Sequence, residues 1–293
     1  MMDVPRDSSV CGAMNAVDIP PRDLLGRREF AVLAQLIHDT CGINLPASKK
    51  SMLEGRLRKR VRALGLGSLG AYVAYLFEDN RLDGELDHLI DVVTTNKTDF
   101  FREPEHFRFL AEIALPDLVR SGRPLVGWSA ASSIGAEAYT MAMVMAEYGR
   151  EHRGFQFNIL GTDICSEVLK TAELAIYPEA MIDPVPMPLR RRYIRRSADP
   201  KHLTVRIAPD LRRHVHFTRL NLIDGPFAFD LSADVIFCRN VLIYFDKRDK
   251  EAALANLCRH LAPGGFLFVG HSETVVGFDL PLRHVAATVF RKE

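Results

Sequence analysis

The sequence lacks the long hydrophobic runs of membrane and secreted proteins. No apolar stretch approaches the ~20 residues that a membrane-spanning helix requires, and the N-terminus, with Asp3, Arg6 and Asp7, has no apolar signal-peptide core. The five cysteines form no C-x-x-C pair, and the ten histidines show no zinc-ligand spacing. We therefore predict a cytoplasmic protein with reduced thiols, no membrane-inserted segment and no metal site.

The glycine-rich motifs that bind phosphates are also absent. After the first predicted strand the glycines are Gly127 and then Gly135, so the G-x-G-x-x-G fingerprint is missing and a nicotinamide enzyme is disfavoured. Neither a P-loop motif nor the G-x-S-x-G nucleophile elbow occurs.

Charge is nearly balanced, so the whole chain indicates no class of partner. It has 38 Lys and Arg against 37 Asp and Glu, a net charge of +1. The distribution is more informative, because residues 49–62 and 190–196 form two basic clusters. An apolar fraction of 47% over 293 residues fits one large soluble domain or two smaller ones.

The N-terminal third predicts a flexible tail followed by helices. Residues 1–26 are rich in Pro, Ser, Asp and Gly, which is typical of a tail with little to bury. From 27 to 93 apolar residues recur at helical spacing, with helices expected from Arg27 to Gly42, over the basic cluster, and at Leu69–Glu78 and Glu85–Val93. We therefore expect an all-α domain at 27–93.

The basic helix of this domain has two interpretations. An apolar seam is expected on one face, and basic residues on the others; the seam is Leu53, Leu57, Val61 and Leu64, and the basic residues are Arg56, Lys59, Arg60 and Arg62. The basic face is either a solvated surface or a docking face for an acidic partner. Nucleic acid is disfavoured, because no known DNA- or RNA-binding signature accompanies it.

The remainder is organised around residues 125–147. An apolar run from Leu125 to Trp128 gives way to small residues and then to an Ala- and Met-rich helical stretch ending near Glu147. This strand–loop–helix order opens a doubly wound α/β sheet, and the helix N-terminus offers unpaired N–H groups to a ligand. The same pattern also occurs in purely structural crossovers.

The rest of the chain extends that α/β alternation, with one interruption. Further strands are expected at Phe157–Asp163, His214–Asn221, Ala233–Asn240 and Phe266–Gly270, edge strands at Leu282–Lys292, and helices at Glu167–Leu174 and Asp249–Leu261. Four prolines and two short β-like runs break the rhythm at about 178–216, which we interpret as an inserted β subdomain.

Polar residues follow several predicted strands at their carboxyl ends, where open α/β sheets bind ligands; they are Ser129, Asp163, Asn221 and Arg239. An acid after the second strand is placed to bind ribose hydroxyls, although Asp163 also has the position of a helix cap, and both roles are compatible. A phosphate-free nucleoside such as S-adenosylmethionine fits this pattern.

Six motifs in order resemble the CheR family of chemotaxis receptor methyltransferases, which methylate receptor glutamates with S-adenosylmethionine. They are TTNKTDFFREP at 94–104, WSAASSIGAEAY at 128–139, GTD at 161–163, NL at 221–222, FCRNVLIYF at 237–245 and PGGFLFVGHSE at 263–273. The resemblance runs from about Arg27 to the C-terminus. It implies a methyltransferase domain at 94–293 behind the helical domain, with the small β subdomain inserted.

The resemblance also implies site residues. Arg102 and Tyr244 match the positions nearest the transferred methyl. The positions that match the family's cofactor site are Asn96, Thr98, Arg102, Glu137, Asp163, Asn221, Leu222, Cys238 and Arg239. The chain departs from the family at Ile134 and Ala136, where relatives usually carry Thr and Glu. This departure keeps open a second hypothesis, a cofactor-binding regulatory module with little turnover. A methyltransferase for RNA or another protein is a third.

A glutamate substrate would simplify the chemistry. Its side chain is already ionised at pH 7, since its reference pKa is ~4.3, so we expect Arg102 and Tyr244 to orient rather than to transfer protons. Receptor methylation regions are helical and acidic, so the resemblance gives Arg56, Lys59, Arg60 and Arg62 an expected role in binding them. Some relatives also bind a receptor C-terminal tail along the β subdomain by strand addition; the sequence leaves this open here.

Overall fold

The computed structural model describes residues 23–79, 81–119, 123–199, 201–227 and 231–293. Most of the predicted tail, residues 1–22, therefore lies outside the described residues. The chain divides into two units: one contains residues up to Leu33 together with Pro46–Val93, and the other contains Ala34–Leu45 and Thr94–Glu293. The linking stretch 34–45 thus packs with the larger unit.

The smaller unit is helical, as predicted. Its elements are the first part of α1 (Arg27–Cys41), a short 3-10 turn (Ala47–Lys49), α2 (Lys50–Ala63), α3 (Leu69–Phe77) and α4 (Leu82–Val93). Ser68 caps α3, because its side chain accepts a hydrogen bond from the N–H of Ala71 at 3.0 Å. On α2 three of the four predicted seam residues, Leu53, Leu57 and Val61, are fully buried, whereas Leu64 follows the end of the helix and is only half-buried.

The basic side of α2 is less open than the sequence suggests. The Arg60 guanidinium donates from Nε and Nη2 to both carboxylate oxygens of the buried Glu85, each at 2.6 Å, and Arg56 donates to the backbone carbonyl of Val93. Arg60 therefore lies off the apolar seam, as predicted, but its charge is engaged by a buried carboxylate from α4. Lys59 and Arg62 are exposed.

The larger unit contains a seven-stranded sheet that confirms the predicted doubly wound α/β fold. The strand order is β6-β2-β1-β7-β8-β10-β9, and pairing is parallel from β6 to β8 and antiparallel where β10 meets β8 and β9. The strands are β1 (Leu125–Ala130), β2 (Phe157–Asp163), β6 (Val215–Arg219), β7 (Ala233–Cys238), β8 (Leu261–Val269), β9 (Leu282–Ala286) and β10 (Val289–Lys292).

Strand β7 shows why the central strands read as continuous apolar runs. All six of its residues are buried, with Val235 and Phe237 in one hydrophobic cluster and Ile236 and Cys238 in another. Because alternate side chains point to opposite faces, both faces of the sheet are covered.

Helices and short segments connect these strands. They are α5 (Pro104–Phe109), a π-helical turn (Leu110–Ala114), α6 (Leu115–Leu118), α7 (Ala136–Glu151), α8 (Ser166–Leu174), α9 (Met187–Tyr193), α10 (Pro209–Arg212) and α11 (Lys247–His260). Gly135 starts α7 at φ +85°, where a Cβ atom would lie 2.9 Å from Ala172 Cβ and from Phe217 Cζ. Only glycine therefore fits the turn between β1 and α7.

A three-stranded antiparallel sheet, order β3-β5-β4, corresponds to the predicted insertion. It contains β3 (Ile176–Pro178), β4 (Ile194–Arg196) and β5 (Thr204–Ile207). Its first strand begins two residues before the expected boundary, and the second β-like run, near His214, belongs to the large sheet as β6. Among the described residues, no helix is both long and apolar enough to span a bilayer.

Candidate active site

A cavity opens at the carboxyl ends of four neighbouring strands of the larger unit. The residues that follow β1, β2, β6 and β7 each contribute to its wall, as expected for an open α/β sheet. Nine of the predicted site residues line it: Asn96, Thr98, Arg102, Glu137, Asp163, Asn221, Leu222, Arg239 and Tyr244. Their roles remain predictions.

Asp163 organises the floor of this cavity. It is 7% exposed; its Oδ2 accepts from the Ser133 N–H at 2.8 Å and its Oδ1 from the Cys165 N–H at 3.0 Å. Because Ser133 lies in the β1–α7 loop and Cys165 is the N-cap residue of α8, one carboxylate fixes both backbones. Asp163 can therefore hold the start of α8 and face the cavity at the same time.

Glu137 and Arg239 form a buried ion pair beside Asp163. Arg239 Nε lies 2.7 Å from Glu137 Oε2, and their side chains are 2% and 8% exposed. Glu137 Oε1 also accepts from the Ser129 hydroxyl at 2.7 Å. The acid is therefore held from two sides, while its carboxylate still borders the cavity.

The Arg239 guanidinium also anchors the loop before α5. Its Nη1 donates to the Arg102 carbonyl at 2.7 Å and lies 3.4 Å from Glu103 Oε2 and 3.1 Å from His106 Nδ1. The rings of Phe107 and Phe237 pack on the guanidinium, each centroid 5.2 Å from its central carbon. The charge of Arg239 is thus compensated by acids, and the position of its guanidinium is fixed by aromatic rings.

Burial and the Arg239 charge lower the pKa of His106 to about 4. The ring is therefore neutral near pH 7, and we assign its proton to Nε2, which lies 2.8 Å from Thr288 Oγ1, so that Nδ1 can accept from Arg239. Glu103, His106 and His271 stand close enough to share a metal ion. The Arg239 guanidinium already meets two of these three groups and would repel a second cation.

Arg102 lies between two residues with left-handed backbone. Phe101 has φ +53° and Glu103 has φ +56°, a conformation that non-glycine residues adopt only when their surroundings impose it. Those surroundings include the Thr140 hydroxyl, which accepts from the Phe101 N–H at 3.3 Å. The resulting turn presents the Arg102 side chain to the cavity, where its Nη1 donates to the Lys97 carbonyl at 3.2 Å.

Tyr244 ends a 3-10 turn (Leu242–Tyr244) after β7. Its carbonyl accepts from the Asn44 N–H at 2.8 Å, and Ile43 forms a bridge with Phe245. The segment after α1 therefore holds the Tyr244 turn in place within the larger unit.

Sequence reasoning did not foresee part of the wall. Cys41 and Ile43 line the cavity although the prediction assigned them to the helical domain, and Ser133 and Asn240 line it as well. No sequence signal distinguishes Cys41 and Ile43 from other residues near the end of a helix, because their position depends on long-range packing. Cys238 is fully buried in β7, and its side chain is not among those that line the cavity.

The remaining cofactor-site candidates border the cavity through the loops. The Asn96 carbonyl accepts from the Ser133 hydroxyl at 2.7 Å, and the Asn221 amide donates to the Thr40 carbonyl at 2.7 Å. The four basic candidates of α2, Arg56, Lys59, Arg60 and Arg62, belong to the smaller unit and do not line the cavity.

Comparison with known proteins gives two family matches. Residues 28–94 match the all-alpha domain of CheR methyltransferase, and residues 96–291 match its SAM binding domain. The chain is 36% identical over 264 residues to "Chemotaxis protein methyltransferase 2" of Pseudomonas aeruginosa, covering 90% of this chain and 92% of that protein. It is 37% identical over 264 residues to "Chemotaxis protein methyltransferase" of Escherichia coli, covering 90% of each.

Among solved structures, PKMT2 from Rickettsia typhi aligns with a TM-score of 0.35 at 15% identity, covering 60% of this chain and 26% of that one. The two family matches together span nearly all the described residues, and they include the motifs at 94–104, 128–139 and 237–245. The chain belongs to the CheR methyltransferase family and is an S-adenosylmethionine-dependent methyltransferase.

Proposed function

We propose that the enzyme transfers the methyl group of S-adenosylmethionine to glutamate side chains of chemotaxis receptors, in the cytoplasm, forming glutamate methyl esters. The observation that carries the proposal is a cavity that combines two acids, Asp163 and Glu137, with the guanidinium of Arg102 and the phenol of Tyr244. The names of the curated relatives support a role in chemotaxis, and Cys41, Cys165, Cys238 and Cys258 are free thiols, which suits a reducing compartment.

The donor set of the cavity fits this cofactor. Asp163 accepts backbone N–H groups and borders the cavity, and a carboxylate after the second strand is placed to bind ribose hydroxyls. Glu137 is suited to the ammonium group of the methionine part, and Asn96 and Asn221 offer amide and carbonyl groups to a base edge. No phosphate-binding cradle is needed, since the nucleoside carries none.

The chain's residues then have to orient the acceptor rather than activate it. The bound sulfonium supplies an electrophilic methyl group. The acceptor glutamate is ionised near neutral pH, so no general base has to remove a proton. Arg239 is already compensated by Glu137 and Glu103, and we therefore assign the guanidinium of Arg102 to orienting the incoming carboxylate.

Tyr244 completes the proposed acceptor site. Its side chain is half-buried and borders the cavity, and its backbone is fixed by Asn44. We assign its phenol to aligning the acceptor carboxylate and the methyl donor. Too many cations around the glutamate would weaken its attack, which is consistent with Arg239 being neutralised by its acids.

Methyl transfer to receptor-bearing membranes tests the proposal. With cofactor radiolabelled on the methyl, we expect label in receptor protein that base hydrolyses to methanol, as an ester requires. Cofactor binding without label would instead favour the regulatory module suggested by Ile134 and Ala136. Label that resists base would favour an amine or nucleobase acceptor, and either result would contradict the proposed reaction.

We further propose that the exposed basic residues of α2 attract the acidic methylation helices of receptors. Lys59 and Arg62 are the suitable pair, because both are exposed while Arg60 is engaged by Glu85. Replacing Lys59 and Arg62 together by Glu is expected to slow receptor methylation at low salt, with unchanged affinity for S-adenosylhomocysteine. Exchanging two exposed cations elsewhere, Lys170 and Arg213, is the control. Equal rates for both double variants would refute the role of α2.

A receptor tail is a second proposed contact, at the three-stranded sheet. Strands β3 and β4 flank β5, and among the described residues neither outer edge pairs with another strand. Such an edge can accept an extended peptide by strand addition. Removing the C-terminal tail of the receptor is expected to slow methylation; an unchanged rate would exclude tail binding.

A further inference from the structure

Glu273 is a buried acid that the proposed mechanism does not use. It follows β8 in the turn after Gly270 and is 7% exposed. Its Oε2 accepts from the Gly270 N–H at 2.6 Å and from the Asn240 N–H at 2.9 Å. The second bond crosses from the loop after β8 to the loop after β7, which carries Arg239 and Tyr244.

The backbone around Asn240 needs such a partner. Asn240 has φ +59°, and the 3-10 turn that begins two residues later leaves its first N–H groups without partners inside the turn. Burial raises the pKa of Glu273, but the N–H groups of Asn240, Gly270, Leu242 and Ile243 act against that shift by stabilising the carboxylate. Its Oε2 therefore meets two backbone donors, one from Asn240 and one from Gly270, while its Oε1 is buried without a hydrogen-bond partner.

Close packing leaves little freedom in this arrangement. A Cβ atom on Gly270 would lie 2.6 Å from Asn240 Nδ2 and 2.9 Å from Glu273 Oε2. The Asn240 side chain reaches on to Glu103, whose Oε1 accepts from Nδ2 at 3.3 Å, and Glu103 contacts Arg239. The segment is thus tied to Glu273 at its start and, through the Tyr244 carbonyl, to Asn44 at its end.

We propose that Glu273 is a positioning residue for methyl transfer: its carboxylate holds the backbone of residues 239–244 so that Arg239 and Tyr244 face the cavity. The acceptor oxygen is the essential part. A methionine in its place would leave the N–H groups of Asn240 and Gly270 without that acceptor, whereas a glutamine can place its amide oxygen where Oε2 stands. The inference rests on the proposed role of Tyr244, whereas the clamp itself does not depend on the identity of the substrate.

The test compares Glu273→Met with Glu251→Met, which removes an exposed acid on α11. We expect Glu273→Met to lower kcat by about tenfold or more while the KM for S-adenosylmethionine changes less, because the Asp163 side of the cavity is untouched. Glu273→Gln keeps an acceptor oxygen and is expected to retain part of the rate, and Glu251→Met to match the parent. A loss confined to KM, or no loss, would overturn the inference.

A double-mutant cycle with Tyr244→Phe separates positioning from general destabilisation. If Glu273 acts through the Tyr244 segment, the double variant is expected to lose little more than the worse single variant. Multiplicative losses would overturn the inference, since they would mean that the two residues act independently.

Hydrogen exchange of the parent protein decides the matter even if the variants fail to fold. The amides of Asn240 and Gly270, which both donate to Glu273, are expected to exchange slowly in the cofactor-free protein, compared with those of the exposed turn at 276–277. Equal exchange rates would overturn the clamp. If receptors gain no methyl ester but these amides are protected, the proposed substrate fails and the clamp stands.

Discussion

Replacing Arg239 by methionine tests whether its charge in the cavity wall is needed to hold the acids Glu137 and Glu103. The methionine side chain preserves contact with Phe107 and Phe237 but leaves Glu137 and Glu103 uncompensated. Removing one partner of a buried ion pair costs about 3–5 kcal/mol. Since 1 kcal/mol shifts Tm by roughly 2–4 °C in a chain of this size, we expect Tm to fall by roughly 6–20 °C.

The pH dependence of the lost stability in Arg239→Met is a more specific test than its size. In the parent, burial alone would raise the pKa of Glu103, but Arg239 and the Asn240 amide outweigh it and the net shift is downward from 4.5. That stabilisation is present above pH 4.5 and is lost as pH falls through the folded-state pKa. In Arg239→Met, Glu103 is still buried but keeps only the weaker hydrogen bonds from Asn240 and His271. Its carboxylate therefore takes up a proton more readily in the folded state, and the variant gains stability as pH falls.

Urea unfolding at pH 8 and pH 5.5 measures this difference. We expect the gap in unfolding free energy between parent and Arg239→Met to be smaller at pH 5.5. Arg108→Met is the control, because Arg108 and its partner Glu105 are both about 60% exposed and such pairs contribute about 0–1 kcal/mol. A gap that is equal at both pH values, or a loss no larger than that of Arg108→Met, would refute the reasoning.

Three further predictions concern the floor, the entry turn and the α1 end of the larger unit. Asp163→Asn is expected to weaken S-adenosylhomocysteine binding about 10–100-fold, the effect of losing a charged hydrogen-bond acceptor; calorimetry measures it, and a change below threefold would contradict the ribose assignment. Gly135→Ala is expected to lower the unfolding free energy by about 1–3 kcal/mol, because φ is +85° and its Cβ would meet Phe217 at 2.9 Å; an unchanged urea midpoint would be inconsistent with this packing. Burial lowers the pKa of His38, but hydrogen bonds to neighbouring acids that include Asp246 outweigh it, and the net pKa is raised. The stability that His38 contributes is therefore present below pH 6.5 and lost as pH rises through the folded-state pKa. His38→Gln is expected to flatten the dependence of unfolding free energy on pH above 6.5, and an unaltered pH dependence would argue against this role.

Local pattern was enough to predict the fold class and the edge of the sheet that carries the site. The apolar runs at β1, β2 and β7, each followed by small or polar residues, require only residue order to indicate parallel strands with a ligand at their carboxyl ends. Asp163 was predicted on the same ground, and Gly135 marks the turn before α7 in the sequence itself. The motifs at 94–104 and 237–245 then supplied the family.

The smaller unit shows where local pattern fails. The spacing on α2 correctly predicted the buried seam at Leu53, Leu57 and Val61. It could not predict that Arg60 is bound by Glu85, because Glu85 lies on another helix and the pairing depends on how α2 and α4 pack.

The sequence by itself thus determined the two classes of domain, the order of the elements and the chemical character of the cavity, since these follow from periodicity and residue type over short stretches. Only the tertiary structure decided that Ile43 joins the wall, that Arg239 is neutralised by two acids, and that Glu273 grips the backbone before Tyr244. Each of these is a contact between residues far apart in the chain, and its geometry exists only once the sheet has brought the loops together.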